Sequence, residues 1–164
     1  MSERDDIVET LRAHRGFLRH TVQGLTEEQA RLQPTVSELK LGGLIKHVAH
    51  TERDWVEFVL NGPKVMEMTE ERYAAWHQEW VLLDGETLES VLAEYAEIAE
   101  RTDELVRTLP DLDASHPLPE APWFEKGATR SARRVFLHIV AETAQHAGHA
   151  DILRESIDGQ KTMG

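Results

Sequence analysis

Residues 131–159 read SARRVFLHIVAETAQHAGHADILRESIDG. At about 100° per residue, Val135, Ile139, Leu153 and Ile157 fall on one narrow stripe with Ala150 beside them, the pattern of a long helix with one face in a core. Glu142 and His146 interrupt that stripe within about 20° of its centre, where a purely structural helix would carry Leu or Ile. A carboxylate taken out of water unpaired costs several kcal/mol, so buried charges are found paired or on a metal. Two readings follow: a hydrogen-bonded pair closing a gap between helices, or two ligands of one ion, since positions i and i+4 share a helix face. His138 cannot complete a ligand set, because His138 to His146 spans roughly 12 Å of helix axis. A third ligand has to come from another helix.

Working outward, residues 41–60, LGGLIKHVAHTERDWVEFVL, form a second long helical pattern that stops at Asn61, Gly62 and Pro63. Its apolar face holds Leu41, Leu44, Val48, Trp55, Phe58 and Val59. His47 lies at the edge of that face, about 20° from Phe58, and is the candidate third ligand. His50 points away from it and is expected in solvent, paired with Asp54. Residues 5–22 make a first amphipathic helix ending near Gly24, and Thr26 with Gln29 has the spacing of a capping box for a short turn before Pro34. Thr87 is the expected N-cap of a further long helix running to Leu109, with Pro110 as its stop.

Between these patterns, residues 63–85 are the least regular, with a short helix expected over 69–80. The aromatics there, Tyr73, Trp76 and Trp80, read first as core anchors under a long connection and second as pocket walls. Residues 111–130, rich in Pro, Asp and Gly, read as a long loop that delivers Trp123 and Phe124 just before the last helix. Four long helical patterns without an alternating strand predict an all-α chain: an antiparallel four-helix bundle with a short extra helix and a long loop before the last helix, one domain over 1–164.

The chain of 164 residues has no cysteine, which excludes disulfides, a thiolate nucleophile of its own and a Cys-based zinc site. Thirty acidic against eighteen basic residues give a formal charge of −12, which argues against nucleic acid as a partner. The opening MSERDDIVETL lacks the pattern of a signal peptide, and no stretch approaches the roughly 20 apolar residues of a membrane span. A cytoplasmic protein is expected.

The segments LIKHVAH followed by TERDW, and HIVAETAQHAGHADILRESIDG, closely resemble the DinB-like superfamily, and within it the branch of small actinobacterial proteins described as mycothiol-dependent enzymes. The resemblance covers nearly the whole chain and is strongest in the final helix. It implies a divalent metal held by one His of the second long helix and two residues of the last, which by motif are His47, Glu142 and His146. The helix-face argument selects the same three residues. Glutamate at the second position is similar to the arrangement of the mycothiol-dependent maleylpyruvate isomerases. The implied metal is zinc, with nickel, iron and manganese open to the same donor set, and the implied cosubstrate is mycothiol.

The reaction the resemblance implies is transfer of that thiol to an electrophilic small molecule, with a homodimer as a family-level expectation. The alternatives are a metal-dependent hydrolase or isomerase, and a non-catalytic metal-binding stress-response protein. His149 is a candidate partner of a ligand or a base at the open position, with a plain structural role as the alternative. Arg154 and Trp123 are the candidate cofactor-binding residues, Arg154 having a salt bridge to Asp151, Glu155 or Asp158 as its competing role. Arg130, Arg133 and Arg134 are unusual in so acidic a chain and meet either the protein's own acidic surface or a substrate carboxylate. Gly148, mid-helix, predicts the close approach of another helix, within the chain or from a second subunit.

Overall fold

The computed structural model describes residues 2–162. Among the described residues six α-helices form, α1 Glu3–His20, α2 Glu27–Arg31, α3 Leu41–Asn61, α4 Glu70–Ala75, α5 Leu88–Thr108 and α6 Ala132–Asp158, with 3₁₀ turns at Pro63–Met66 and Trp76–Trp80. Their starts follow the local chemistry. Thr26 and Gln29 form the capping box that their spacing indicates, and Thr87 caps α5, where Ser90 completes the box. Ser131 accepts a hydrogen bond from the Arg134 backbone N–H and so opens α6. The short helix expected over 69–80 is split, α4 giving way to the tighter turn that carries Trp80.

The four long helices pack as a bundle, as the sequence predicts, with antiparallel and parallel neighbours both present, and side-chain pairs give the direction of each. Glu3 meets Arg133 at the starts of α1 and α6, and Arg154 reaches the carbonyls of Thr21 and Gln23 at their ends, so these two helices run the same way. Arg4 donates to the carbonyls of Val106 and Leu109, which sets α1 against α5. Helices α3 and α6 also run oppositely, His47 facing His146 and Trp55 facing His138. Helices α3 and α5 run together, since His50 pairs with Glu94 and Glu57 with Arg101. The chain must therefore return the length of the bundle between them, about 30 Å for a helix of this size. Residues 62–87 are that crossover, and it passes over the candidate site.

Two apolar clusters fill the bundle. One gathers Leu18, Leu41, Leu44, Tyr95, Ala150 and Leu153, the other Leu11, Phe58, Val106, Val135, Phe136 and Ile139. At their junction Arg15 is buried with its Nε and Nη2 donating to Glu52 at 3.0 and 2.5 Å and its Nη1 to Asp103 at 2.7 Å. This network ties α1, α3 and α5 together through charge-assisted hydrogen bonds.

The segment 111–130 is not wholly loop: β1 Ser115–Pro117 pairs antiparallel with β2 Thr129–Ser131. Strands of three residues are too short to register as an alternating pattern. The hairpin closes the base of the loop that carries Trp123 and Phe124. No helix among the described residues is long and apolar enough to cross a membrane.

Candidate metal centre and its cavity

His47, near the start of α3, and Glu142 and His146, one turn apart on α6, each offer a ligand atom within 4.8 Å of the others. The antiparallel packing of α3 on α6 makes that meeting. His146 is buried, while His47 and Glu142 are half-buried and line a cavity of about 380 Å³. His146 thus backs the group and the open side faces the cavity.

The Trp80 ring lies flat on His47, with centroids 3.6 Å apart and planes 17° from parallel. Gly43 makes this possible, because a Cβ there would stand 1.8 Å from the Trp80 carbonyl oxygen. Trp76 and Trp80 are walls of the cavity, Trp80 also packing against the core as expected of an anchor, whereas Tyr73 is exposed and serves as neither. Trp76 is exposed to 45% and Trp123, on the opposite rim, to 60%. The crossover and the hairpin loop supply these rings, and neither lies next to the ligands in sequence.

Electrostatics prepare two of the side chains, His47 and Glu142, for a cation. Burial, reinforced by the neighbouring His146, lowers the pKa of His47 to about 4, so its ring is neutral with a lone pair free at neutral pH. The His146 ring, with Nε2 at 3.6 Å from a Glu142 oxygen, holds the Glu142 carboxyl below the usual range against the opposing effect of burial. His149 stands with Nδ1 at 3.2 Å from Nδ1 of His146. A hydrogen bond there leaves Nε2 of His146 toward Glu142, the way outer groups orient metal-binding histidines. His138 Nε2 lies 3.6 Å from the other Glu142 oxygen, beyond hydrogen-bond length, with its ring edge-on to Trp55.

A zinc ion held at about 2.0–2.2 Å by each donor sets tetrahedral ligand atoms roughly 3.4 Å apart. The 3.6 Å between Glu142 and His146 is already close to this. Two imidazoles and one carboxylate, open on one side, are the donor types of catalytic rather than closed structural zinc. The residues fit the metal.

Elsewhere the structure corrects several expectations. His50 is not in solvent: its Nδ1 is 2.5 Å from Glu79 and its Nε2 3.3 Å from Glu94. Asp54, its expected partner, is taken by Arg53 and Arg72. Arg154, expected to bind cofactor, is buried away from the cavity. Its Nη1 donates to the carbonyls of Thr21 and Gln23, its Nε to Asp158 and its Nη2 to Gln160, so it fastens the end of α6 to the end of α1. The Asp158 bridge weighed against the cofactor role is therefore formed. Gly148 faces open space within the chain, with nothing within 4 Å of an added Cβ, so no helix of this chain approaches it. Arg133 meets Glu3 and Asp113, the chain's own acidic surface.

A family model for mycothiol-S-transferases matches residues 6–159, from the first turns of α1 to the end of α6. The chain belongs to the mycothiol-S-transferase family. Membership indicates a mycothiol-dependent S-transferase enzyme, and the resemblance to the DinB-like superfamily is borne out. Among solved structures, the conserved protein of a locus from Enterococcus faecalis is similar in fold, with a TM-score of 0.66 and 17% identity over 98% of this chain and 99% of that one. No curated protein matches significantly. In the mycothiol-S-transferase fold as this chain builds it, the candidate ligands stand at the side of the bundle where the crossover and the hairpin loop enclose the cavity.

Proposed function

We propose that this chain joins the sulfur of mycothiol to a small electrophile in the cavity beside His47, Glu142 and His146, which hold a divalent metal, zinc foremost. The observation that carries the reading is the convergence of three ligand atoms from two helices on the wall of a cavity large enough for a small molecule. When bound there, the metal would supply stabilisation of the thiolate, which is the nucleophile, by lowering the thiol pKa. The chain has no cysteine, so the reacting sulfur arrives with the cosubstrate. That absence also suits a reducing compartment such as the cytoplasm.

The residues share the remaining work. His47 and Glu142 present their donors to the cavity, His146 anchors the set from behind, and His149 holds the His146 ring in orientation. Trp80 covers one face of His47 and limits water there. Trp76 and Trp123 offer apolar surface to the body of a substrate. In the overall transfer a carbon–sulfur bond forms while the bond to a leaving group breaks with its electron pair, and the thiol proton is released.

Titration of the metal-free protein with cobalt(II), followed by mycothiol, tests this. One equivalent is expected to bind, and a sulfur-to-cobalt charge-transfer band is expected on thiol addition. His47→Ala, Glu142→Ala and His146→Ala should each abolish stoichiometric binding and thiol-dependent turnover while the helical circular dichroism is kept. Turnover retained in these variants would sink the reading, and cobalt binding without the band would turn it toward water activation.

A further inference from the structure

The cavity contains more charge than the metal centre accounts for, and nearly all of it is paired. Glu79 is bonded to His50, and Asp54 to Arg72 and Arg53. Glu142 belongs to the donor set, and Glu120 is exposed at the rim. Arg130, the middle residue of β2, is the exception. Among the described residues it makes no ion pair, and its Nη1 is buried without a hydrogen-bond partner. Its guanidinium carbon sits 4.7 Å from the centroid of Trp55 and 5.5 Å from that of Phe124. In a chain with 30 acidic and 18 basic residues, a half-buried arginine in contact with no carboxylate, Glu142 acting on it only from a distance, is out of keeping with its surroundings.

We propose that Arg130 selects the electrophile, receiving a carboxylate carried on a flat apolar body that lies among Trp55, Trp76, Trp123 and Phe124. The proposal rests on the transferase reading of the same cavity. A guanidinium offers two parallel N–H donors that match a carboxylate, and one stacked on rings has its plane set before the ligand arrives. A buried charged donor without a partner is costly, so a ligand that supplies the partner gains what the free protein forgoes. A compact, strongly hydrated anion such as phosphate gains less, because it has no apolar body to set against the ring-lined walls. Arg130 and Glu142 line the same cavity, so a ligand anchored at one presents its body toward the other.

The test uses the metal-loaded protein, with Arg130→Gln and Arg130→Lys beside the wild type. Tryptophan fluorescence follows binding of 3-nitrobenzoate and of the neutral 3-nitrobenzamide, and mycothiol-dependent turnover is measured with 4-chloro-3-nitrobenzoate and its amide. The wild type is expected to prefer the acid by about tenfold or more. Arg130→Gln should remove that preference without weakening the amide, raising KM for the acid with kcat little changed, and Arg130→Lys should keep part of it. Cobalt stoichiometry should not move in either variant. Absence of any preference in the wild type, a preference that survives Arg130→Gln, or an equal loss on acid and amide would each overturn the proposal. An Arg130-dependent binding preference without turnover of either chloride leaves the anion site standing and removes the transferase reading. Equal turnover of acid and amide does the reverse.

Discussion

His47 ties the chemistry of the site to the stability of the fold. Folded, its pKa is about 4; unfolded, the ring returns to the ordinary value of 6.5. Between those values the unfolded chain binds a proton that the folded chain does not, so stability rises with pH across the window and is level above it. In the metal-free protein the urea midpoint should accordingly fall as pH is lowered from about 6.5 to about 4, and His47→Gln should flatten that dependence. An unchanged slope in the variant would remove His47 as its source. The three candidate ligands were legible one residue at a time, because a carboxylate and a histidine on an apolar stripe, and a histidine at the edge of another, are readable from helical phase alone. His50 was not, and Arg154 was so only in part: its bridge to Asp158 was among the readings the sequence offered. The remaining partners, the carbonyls after α1 for Arg154 and the glutamates of the crossover and α5 for His50, are brought in by tertiary contacts.

At the scale of elements, the two notable glycines make opposite predictions. A methyl at Gly43 would collide with the backbone of Trp80, so Gly43→Ala should displace the crossover, loosen the Trp80 stack on His47 and weaken cobalt binding, read as a shifted tryptophan emission and a higher dissociation constant. A methyl at Gly148 meets nothing, and an exposed helix interior favours Ala over Gly, so Gly148→Ala should raise stability by about 1 kcal/mol by urea denaturation and leave cobalt binding unchanged. The long helices themselves were readable from apolar period and caps, and their ends fall within about two residues of the expected ones. The hairpin of β1 and β2 was not, because its pairing joins residues on either side of a long loop through backbone groups that any sequence carries.

Across the whole molecule, Arg15, Glu52 and Asp103 hold three helices at the junction of the two apolar clusters. Glu52 is buried and faces Arg15 through both of its oxygens. Glu52→Ala leaves that guanidinium with Asp103 alone and should cost about 3–5 kcal/mol, measured by denaturant unfolding. A loss below about 1 kcal/mol would mean that water or a rearranged side chain replaces the carboxylate. The sequence by itself determined the four long amphipathic faces, the acidic composition, the lack of a thiol and which three residues are the candidate ligands, since each is a matter of residue type and local period. The tertiary structure alone decided that α3 and α5 run together. That direction forces the crossover over the site, stacks Trp80 on His47, and closes with the hairpin loop a cavity in which Arg130 is left without a carboxylate. These features depend on which faces meet across the bundle, and a one-dimensional period specifies a face without naming its partner.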